Sequence, residues 1–464
     1  MNFLSQNTDT IIALSTAQGT GAIAVIRLSG KGSISLVNHF FKGKNLEMQA
    51  THTLHFGSLQ QEIENQKIEI IDEVVVALFI APKSFTGENV AEISCHGSPY
   101  IVQKIIQLFV DAGVRMARAG EFTLRAFLNG RMDLSQAEAV ADLIASDSAA
   151  SHRTAINQMR GGFSLEIKKL RQDLIHFASM LELELDFAEE DVVFVNKEQF
   201  RKLLNNLYKV ITQLSNSFRL GNVLKKGVTT VIAGRPNAGK STLLNALLNE
   251  ERAIVSEIAG TTRDTIEETL TINGIAFRLI DTAGIREATD TIEAIGVKKT
   301  LEKVSEAAIL LYVYDVTQTT FQDAQNDVLQ LITPTMDLIV LANKIDLKPD
   351  YQGFILPQVM NYPELLVSAN QANTIENIKE HLFTMVAGDY KADQTLVTNS
   401  RHYQALKRSS DAILAVMNGL EQGLSNDFLA IDIRTALHEL GEITGEITTE
   451  DLLGNIFSKF CIGK

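Results

Sequence analysis

The residues from 227 to 245 combine glycine, lysine and serine at the spacing of a phosphate-binding loop. Gly234, Gly239, Lys240 and Ser241 follow the pattern G-x-x-x-x-G-K-[ST]. In such a loop the glycines let backbone N–H groups surround phosphate oxygens, the lysine ammonium contacts the outer phosphates, and the hydroxyl can bind Mg2+. The β-branched run VTTVIA precedes the loop and the apolar run TLLNALL follows it. This context predicts a strand, a loop and a helix that bind a nucleotide, with Ser241 as a Mg2+ ligand.

Three later segments indicate which nucleotide is bound. The segment from Asp281 to Gly284 follows the apolar run FRLI, where a carboxylate can reach water-bridged Mg2+ and a glycine N–H can reach the γ-phosphate. The segment from Asn343 to Asp346 follows the run LIVLA. The Asp346 carboxylate can accept two parallel hydrogen bonds from guanine that adenine cannot offer. Residues Ser368 to Asn370 follow LLV and would add a backbone contact to the base. The sequence therefore predicts a GTPase.

The segment SEIAGTTRD, from Ser256 to Asp264, supplies the remaining predicted nucleotide contacts. Thr262 is the natural second hydroxyl ligand for Mg2+. The full predicted GTP-binding set is Asn237, Ala238, Gly239, Lys240, Ser241, Thr242, Ser256, Glu257, Ile258, Ala259, Gly260, Thr261, Thr262, Asp281, Thr282, Ala283, Gly284, Asn343, Lys344, Ile345, Asp346, Ser368, Ala369 and Asn370.

Hydrolysis needs a group that orients the attacking water, and a familiar choice is a Gln just after the D-x-x-G motif. That position holds Ile285, which cannot do this. The nearby polar candidates are Arg286, Glu287 and Glu293, in a charged segment from 286 to 296 that we expect to act as a switch.

Asn237, inside the phosphate loop, suggests a second ion. An Asn amide oxygen next to a glycine-containing loop of carbonyls can form a ring of neutral oxygens, which is how K+ is held. Such an ion could supply the positive charge that an arginine finger otherwise brings to the transition state. From the residues alone, a plain loop is the equal alternative.

Composition limits the class of protein. The chain has 464 residues, enough for about three domains, with 45% hydrophobic and 21% charged residues. Its net charge of -14 argues against non-specific coating of nucleic acid. The sequence shows no signal-peptide pattern and no apolar run of the length that spans a membrane, so we expect a cytoplasmic protein. Two cysteines exclude a disulfide framework.

Patterning divides the chain into four predicted segments. Residues 1–128 alternate short β-rich runs with a helical run and predict an α+β domain, in which Glu88, Glu92 and His96 can be solvated turn or strand residues. Residues 129–222 predict helices, because apolar residues recur every three or four positions from Phe163 to Leu185 and from Phe200 to Phe218. Residues 223–387 predict a doubly wound G domain, and 388–464 predict further helices. The fold class is therefore multidomain α/β and all-α, with a helical bundle interrupted by an inserted Ras-like P-loop G domain.

The chain closely resembles the MnmE (TrmE) family of tRNA-modification GTPases over essentially its whole length. The shared stretches include GRPNAGKSTLLN, IAGTTRD, DTAGIRE and NKID. More family-specific are SFTGENVAEISCHG, AGEFTLRAFLNGRMDLSQAEAVADLI and the ending EITGEITTEDLLGNIFSKFCIGK. The resemblance implies a homodimer formed through the N-terminal domains, which assembles into a heterotetramer with a FAD-dependent partner, MnmG (GidA). It implies transfer of an aminomethyl or carboxymethylaminomethyl group to C5 of the wobble uridine (position 34) of certain tRNAs.

The resemblance also implies roles for individual residues. The one-carbon unit would come from 5,10-methylene-tetrahydrofolate, and this compound or 5-formyl-tetrahydrofolate would contact Arg27, Glu88, Arg131 and Lys464. The family often has Lys at the position of Arg131, an exchange that keeps the charge and changes the hydrogen-bond geometry. Glu293 would orient or activate the hydrolytic water. Implied K+ ligands are Asn237 with Ser256, Ile258 and Thr261, and implied Mg2+ ligands are Ser241 and Thr262.

Two questions stay open at this point. Cys461, four residues from the end, can be a nucleophilic or redox residue near the folate or a packing residue. Lipidation at this cysteine is disfavoured because Gly463 and Lys464 fit a prenylation box poorly. The alternative overall function is a regulatory or ribosome-assembly GTPase without one-carbon chemistry. A membrane-remodelling GTPase is disfavoured, because neither a membrane span nor a basic amphipathic helix is visible.

Overall fold

A computed structural model describes residues 9–63, 67–186, 197–249, 267–281, 307–334, 336–352, 364–388 and 395–463. The chain forms two compact units. The first contains residues 1–144, 157–211 and 404–464, and the second contains 145–156 and 212–403. Each combines sheet and helices, which confirms the predicted multidomain fold class, while the boundaries at 128, 222 and 387 stay predictions. No helix in the described part of the chain is long and apolar enough to cross a bilayer.

The strands and helices have the following bounds. The strands are β1 Ile11–Leu14, β2 Ile23–Ser29, β3 Phe41–Lys42, β4 Thr53–Ile63, β5 Lys67–Phe79, β6 Val90–His96, β7 Arg115–Met116, β8 Val228–Ala233, β9 Glu267–Ile272, β10 Ile275–Asp281, β11 Ile309–Asp315, β12 Asp337–Asn343 and β13 Glu364–Leu366. The helices are α1 Ser33–Phe40, α2 Pro99–Asp111, α3 Glu121–Leu128, α4 Leu134–Ala145, α5 Ala149–Met159, α6 Gly162–Asp186, α7 Lys197–Asn216, α8 Phe218–Lys226, α9 Lys240–Asn249, α10 Phe321–Leu331, α11 Ala372–Ala387, α12 Ser400–Glu421, α13 Asn426–Thr444 and α14 Glu450–Phe457.

The first unit is built on a mostly antiparallel sheet with the strand order β3-β4-β5-β6-β2-β1-β7. Side chains alternate across each strand, so one face of the sheet collects the apolar residues. Val76 of β5, Ile93 of β6 and Ile26 of β2 lie on this face and pack against Ile105 and Phe109 of α2. This core fixes β2, which carries Arg27, and β6, which carries Glu92.

Helices complete the first unit. Leu124 of α3 and Leu134 of α4 pack against Leu453 and Phe457 of α14. Helix α6 runs along α13, and Phe177 of α6 stacks on the ring of Phe200. The apolar period from Phe163 to Leu185 therefore predicted α6 correctly.

The second apolar period belongs to two helices instead of one. A single pattern from Phe200 to Phe218 suggested continuous helix, but α7 ends at Asn216 and α8 begins at Phe218. Between them Ser217 donates its hydroxyl to the carbonyl of Leu214 at 2.6 Å, and the same Oγ accepts the N–H of Val397 at 3.0 Å. A side chain that bonds nearby backbone competes with the helix, which explains the break.

The second unit has a six-stranded sheet with the order β13-β12-β11-β8-β10-β9. Strands β10, β8, β11, β12 and β13 pair in parallel, and β9 is an antiparallel edge. All seven residues of β11 are buried, as expected of a strand covered on both faces. In such sheets ligands bind beyond the carboxyl ends of the strands. The loops after β8, β11 and β12 lie at that edge.

Candidate functional site

The phosphate loop connects the end of β8 to the start of α9, at the edge where a doubly wound sheet binds ligands. The Lys240 side chain is buried, and its ammonium donates to the carbonyls of Gly234 and Arg235, both at 3.0 Å. Ser241 is exposed in the first turn of α9. A helix N-terminus presents backbone N–H groups and a partial positive charge. The loop can therefore receive an anionic phosphate, with a hydroxyl beside it for a cation.

Asn343 connects the predicted base-contacting loop after β12 to the phosphate loop. Its side-chain Nδ2 donates to the carbonyl of Ala238 at 2.8 Å, and its Oδ1 accepts the N–H of Ala369 at 3.4 Å. Gly239 lies beneath this amide with φ 95°, and a Cβ there would overlap the Asn343 side chain. Glycine is needed at this position for both the backbone angle and the close approach. One buried amide thus connects the three predicted GTP-binding segments that follow β8, β12 and β13.

Lys344 makes a second connection. Its backbone is left-handed with φ 67°, as is that of Asn237 with φ 63°. The Lys344 ammonium donates to the carbonyl of Asn237 at 2.9 Å and to Oδ2 of Asp315 at 2.7 Å. Non-glycine residues adopt this backbone region only at a cost, so the ammonium bonds stabilise it.

Asp315, the last residue of β11, anchors this lysine. Its Oδ1 accepts the N–H of Thr317 at 2.8 Å and the Thr317 hydroxyl at 2.6 Å. Burial opposes ionisation of the carboxyl, but the bonds from Lys344 and Thr317 outweigh it and hold the pKa of Asp315 below its usual value. The buried carboxylate therefore fixes the lysine from below. Sequence reasoning missed Asp315; a carboxylate at the end of an otherwise apolar strand was the available signal.

The residues predicted to contact the base lie at the same edge of the sheet. Asp346 is exposed in the 3-10 turn Ile345–Leu347. Ser368 is buried, with its N–H bonded to the hydroxyl of Thr374 at 3.1 Å, while Asn370 is exposed. An exposed carboxylate above a fixed loop can accept the paired N–H donors of guanine. The structure thus brings together the predicted GTP contacts at residues 237–242, 343–346 and 368–370.

Several predicted site residues lie outside the described part of the chain. They are Ser256, Glu257, Ile258, Ala259, Gly260, Thr261, Thr262, Thr282, Ala283, Gly284, Glu293 and Lys464. Their roles stay predictions. Asp281, by contrast, is the last residue of β10, and its backbone pairs in register with Ile232 of β8.

A second group of functional candidates lies in the first unit, around Arg27 on β2. The Arg27 Nε donates to Oε1 of Glu92 at 2.8 Å. Its guanidinium carbon lies 5.7 Å from the ring centroid of Phe85 and 5.6 Å from that of Phe122. Stacking between a guanidinium and aromatic rings favours one orientation of the arginine. Phe85 is itself 38% exposed and adds an apolar surface to this site that the sequence did not signal.

The C-terminal segment passes directly beside Arg27. Ile462 forms an antiparallel bridge with Ala119. The carbonyl of Gly463 accepts the Ser15 hydroxyl at 3.2 Å and Arg27 Nη1 at 3.5 Å. Gly463 has φ 95°, and a Cβ there would overlap the backbone of Leu14. The residue that precedes Lys464 is therefore fixed next to Arg27, although 436 positions separate them in sequence.

Glu88 is not a solvated turn residue. Its side chain is 16% exposed, and its Oε2 accepts the Ser29 hydroxyl at 2.7 Å and Nη1 of Arg125 at 3.1 Å. Ser29 follows Arg27 by two positions on β2, so both lie on the same face of the strand. The solvated interpretation of Glu88 was wrong because Arg125, which pairs with it, is 37 positions away.

Arg131 closes the same group. It is exposed, and the ideal Cβ position of Gly87 lies 3.3 Å from Arg131 Cγ. Asn129 Nδ2 donates to the carbonyl of Thr86 at 2.7 Å and holds the two loops together. The structure thus gathers Arg27, Glu88, Arg131 and the backbone before Lys464. Cationic groups, a carboxylate and an exposed aromatic ring fit a ligand that has N–H donors, carboxylates and a flat ring, which is the chemistry of folate.

The two cysteines and His96 have separate environments. Cys95 points into the core, whereas His96, its neighbour on β6, is exposed, so they cannot hold a metal as a pair. Burial, reinforced by the charge of Asp72, raises the pKa of the Cys95 thiol to about 11. His96 bonds Oδ1 of Asp72 at 2.7 Å. Cys461 is exposed, and its carbonyl accepts the N–H of Gly120 at 3.4 Å.

Comparison with known proteins covers nearly the whole chain. A family model described as "GTP-binding protein TrmE N-terminus" matches residues 10–131, and one described as "MnmE helical domain" matches residues 134–461. The chain is 54% identical over 463 residues to the tRNA modification GTPase MnmE of Cytophaga hutchinsonii, covering 99% of each protein. It is 53% identical over 475 residues to that of Christiangramia forsetii, covering 98% of this chain and 99% of the relative.

Among solved structures, the chain is similar to the G domain of the FeoB iron transporter of T. maritima. The identity is 23% and the TM-score 0.26, over 33% of this chain and 94% of the other. This likeness is too weak to support a conclusion. The two family matches and the full-length relatives suffice: the chain belongs to the MnmE family of tRNA modification GTPases.

Proposed function

We propose that this tRNA modification GTPase depends on K+ and works with a FAD-dependent partner, MnmG (GidA). Together they would add an aminomethyl or carboxymethylaminomethyl group to C5 of the wobble uridine, position 34, of certain tRNAs. The one-carbon unit would come from a tetrahydrofolate bound in the first unit. GTP hydrolysis in the second unit would drive association of the G domains and a conformational change.

The gathering of three distant chain positions around Arg27 carries the folate part of this proposal. Arg27, Glu88, Arg131 and Gly463 come from separate segments and meet in the first unit. None of them is needed to bind GTP, whose predicted contacts lie in the second unit. A regulatory or ribosome-assembly GTPase has no use for such a group. The arrangement therefore favours one-carbon chemistry over the alternative function.

Each residue would have a defined task in that site. Arg27, held by Glu92 and by two aromatic rings, and the exposed Arg131 would bind folate carboxylates or carbonyl oxygens. The Glu88 carboxylate would accept an N–H of the ring. Lys464 would add a charge next to Arg27. When bound, a tetrahydrofolate carrying a methylene group supplies the one-carbon unit.

The phosphate loop and the helix that follows it supply one ligand for each proposed cation. Asn237 is exposed, and the Lys344 bond to its carbonyl fixes its left-handed backbone. Its amide oxygen would serve K+ together with Ser256, Ile258 and Thr261, and this ion supplies positive charge beside the transferring phosphate. Ser241 and Thr262 would hold Mg2+. We expect hydrolysis to be at least tenfold faster in K+ than in Na+, and equal rates would reject the K+ site.

Glu293 is proposed to orient the hydrolytic water, because Ile285 cannot. The variant Glu293→Ala should bind GTP with unchanged affinity and lose nearly all turnover. A matched control, Glu287→Ala, removes a carboxylate from the same segment and should retain turnover. Normal turnover in the Glu293 variant would assign the role to another group.

A homodimer through the first unit is supported by its open sheet face. Leu54 and Phe56 on β4 are 71% and 69% exposed, while His55 between them is buried. Ile23, on β2 and 66% exposed, is a third large apolar residue of this unit left in contact with solvent. Exposed apolar patches mark interaction surfaces. Changing Phe56 to Glu should produce monomers in size-exclusion chromatography with light scattering, whereas Glu47→Gln, at an exposed polar position, should leave dimers.

The function as a whole is tested by nucleoside analysis of tRNA. Cells that lack the gene should lose the C5-modified wobble uridine, and the intact gene should restore it. Genes encoding Glu88→Gln or Asp346→Asn should fail to restore it, the first through folate and the second through GTP. Normal wobble-uridine modification in the deletion strain would support the regulatory or assembly alternative.

A further inference from the structure

A buried arginine lies behind the Glu88 carboxylate in the first unit. Arg125, on α3, is 1% exposed. Its Nη1 donates to Oε1 and Oε2 of Glu88 at 3.3 and 3.1 Å and to the carbonyl of Asp9 at 2.8 Å. Its Nη2 donates to Oδ1 of Asp9 at 2.7 Å and to Oε1 of Glu121 at 3.2 Å. Burial of a guanidinium is unfavourable unless its charge is paired, so these carboxylates determine where Arg125 lies.

A second arginine shares two of these partners. Arg115 Nε donates to Oδ2 of Asp9 at 2.7 Å, and its two terminal nitrogens donate to Glu121 at 2.6 and 3.0 Å. Arg115 and Arg125 together already balance the charges of Asp9 and Glu121. Glu88 is then the third carboxylate against two guanidinium groups. The cluster would be neutral without Glu88, so charge balance alone does not explain its presence there.

The two oxygens of Glu88 are used unequally. Oε2 accepts the Ser29 hydroxyl at 2.7 Å and the shorter of the two Arg125 bonds. Ser29 is fully buried and is itself paired with the Thr86 hydroxyl at 2.8 Å, so its hydroxyl has a fixed position. Oε1 receives the longer Arg125 bond, at 3.3 Å. Because a carboxylate has about four acceptor positions, Oε1 retains capacity for a donor from outside the protein.

We propose that Arg125 and Ser29 are positioning residues that orient the Glu88 carboxylate so that Oε1 accepts a hydrogen bond from an N–H of a reduced folate. The inference rests on the proposed folate role of Glu88 and adds how the chain fixes that carboxylate. A carboxylate held from behind by a guanidinium and a hydroxyl does not have to be ordered when the ligand binds.

The test measures binding of 5-formyl-tetrahydrofolate to the full-length protein by isothermal titration calorimetry. Arg125→Lys keeps the charge and loses the two-sided fork, and Ser29→Ala removes only the hydroxyl. Each should raise the Kd about tenfold, because a Glu88 carboxylate that is no longer held in place must be ordered when the ligand binds. Arg115→Lys is the matched control, since it perturbs the same Asp9 and Glu121. It should change the Kd by less than about threefold, even if its melting temperature falls as much as that of the Arg125→Lys variant.

A double-mutant cycle separates positioning from general stabilisation. If Arg125 and Ser29 act through Glu88, neither substitution should weaken folate binding further in a Glu88→Gln background. Independent, additive losses would overturn the proposal, and so would wild-type affinity in Glu88→Gln, Ser29→Ala or a folded Arg125→Lys. Should Arg125→Lys fail to fold, judged by circular dichroism, the cycle with Ser29→Ala decides. Failure of the wild-type protein to bind the folate would instead refute the proposed folate function.

Discussion

The bond between Asp315 and Lys344 offers a direct test of how the guanine and phosphate segments are coupled. Asp315 accepts from Thr317 on one oxygen and from Lys344 on the other, and its side chain is 4% exposed. The variant Asp315→Asn has nearly the same shape but presents one acceptor oxygen instead of two. It cannot serve Thr317 and Lys344 together, so the lysine loses its anchor and the bond to Asn237 is no longer fixed.

The magnitude follows from the contacts that are lost. A hydrogen bond to a charged group contributes about 1.5–3 kcal/mol. The Lys344 side chain is 30% exposed, so water can replace part of the lost bond and the lower half of that range applies. Because the freed loop must be ordered again when GTP binds, a loss of about 1.5–2 kcal/mol reappears as about 10- to 30-fold weaker GTP binding.

Association and dissociation of a fluorescent guanine nucleotide, both measured by stopped flow, together give the Kd. Thr317→Val is the matched control because it removes a hydroxyl bond to the same carboxylate and leaves Lys344 in place. We expect this control to stay within about threefold of wild type. Wild-type affinity in a folded Asp315→Asn protein would refute the reasoning that Lys344 must be anchored for guanine binding.

Three further results are expected. Gly239→Ala should abolish GTP binding in a filter assay, while the protein keeps its circular dichroism spectrum. Burial opposes ionisation of Glu121, but the bonds from Arg115 outweigh it and hold the pKa of Glu121 below its ordinary value of 4.5. The stability that this pair contributes is therefore complete above about pH 4.5 and is lost as the pH falls through the folded pKa. The melting temperature of the Glu121→Gln variant should consequently depend less on pH in the acid range than that of the wild type. At pH 7.5, a thiol reagent should modify the exposed Cys461 rapidly and leave the buried Cys95 unreacted, as peptide mass spectrometry would show.

Local spacing was enough to predict a GTPase. Lys240 comes seven residues after the end of β8 and Asp346 three residues after the end of β12, so a short pattern carries both the chemistry and the context. The bond between Lys344 and Asn237 joins positions 107 apart, and no pattern within one segment announces it. It exists because parallel strands β8, β11 and β12 end at the same edge of the sheet.

The site in the first unit was harder to predict, because its contacts also join residues that are far apart in sequence. Resemblance supplied Arg27 and Glu88, but nothing local identified Arg125, which lies in the apolar run FTLRAFL. Its burial depends on Asp9, 116 positions away. Likewise, the helix break at Ser217 depends partly on Val397, so the apolar period alone could not place it.

The bond between Ser217 and Val397 also bears on the order in which the chain folds. It joins residues 180 positions apart at the two ends of the segment that builds most of the second unit. On the ribosome this segment emerges as a whole before α13, the partner of α6, has been synthesised. Once this segment has folded, the connection between α6 and α13 shortens from about 240 residues to about 60, which lowers the entropy cost of joining the two helices by about 1 kcal/mol. The first unit would thus complete its folding only after the inserted segment has folded. A destabilised G domain would therefore slow the folding of both units.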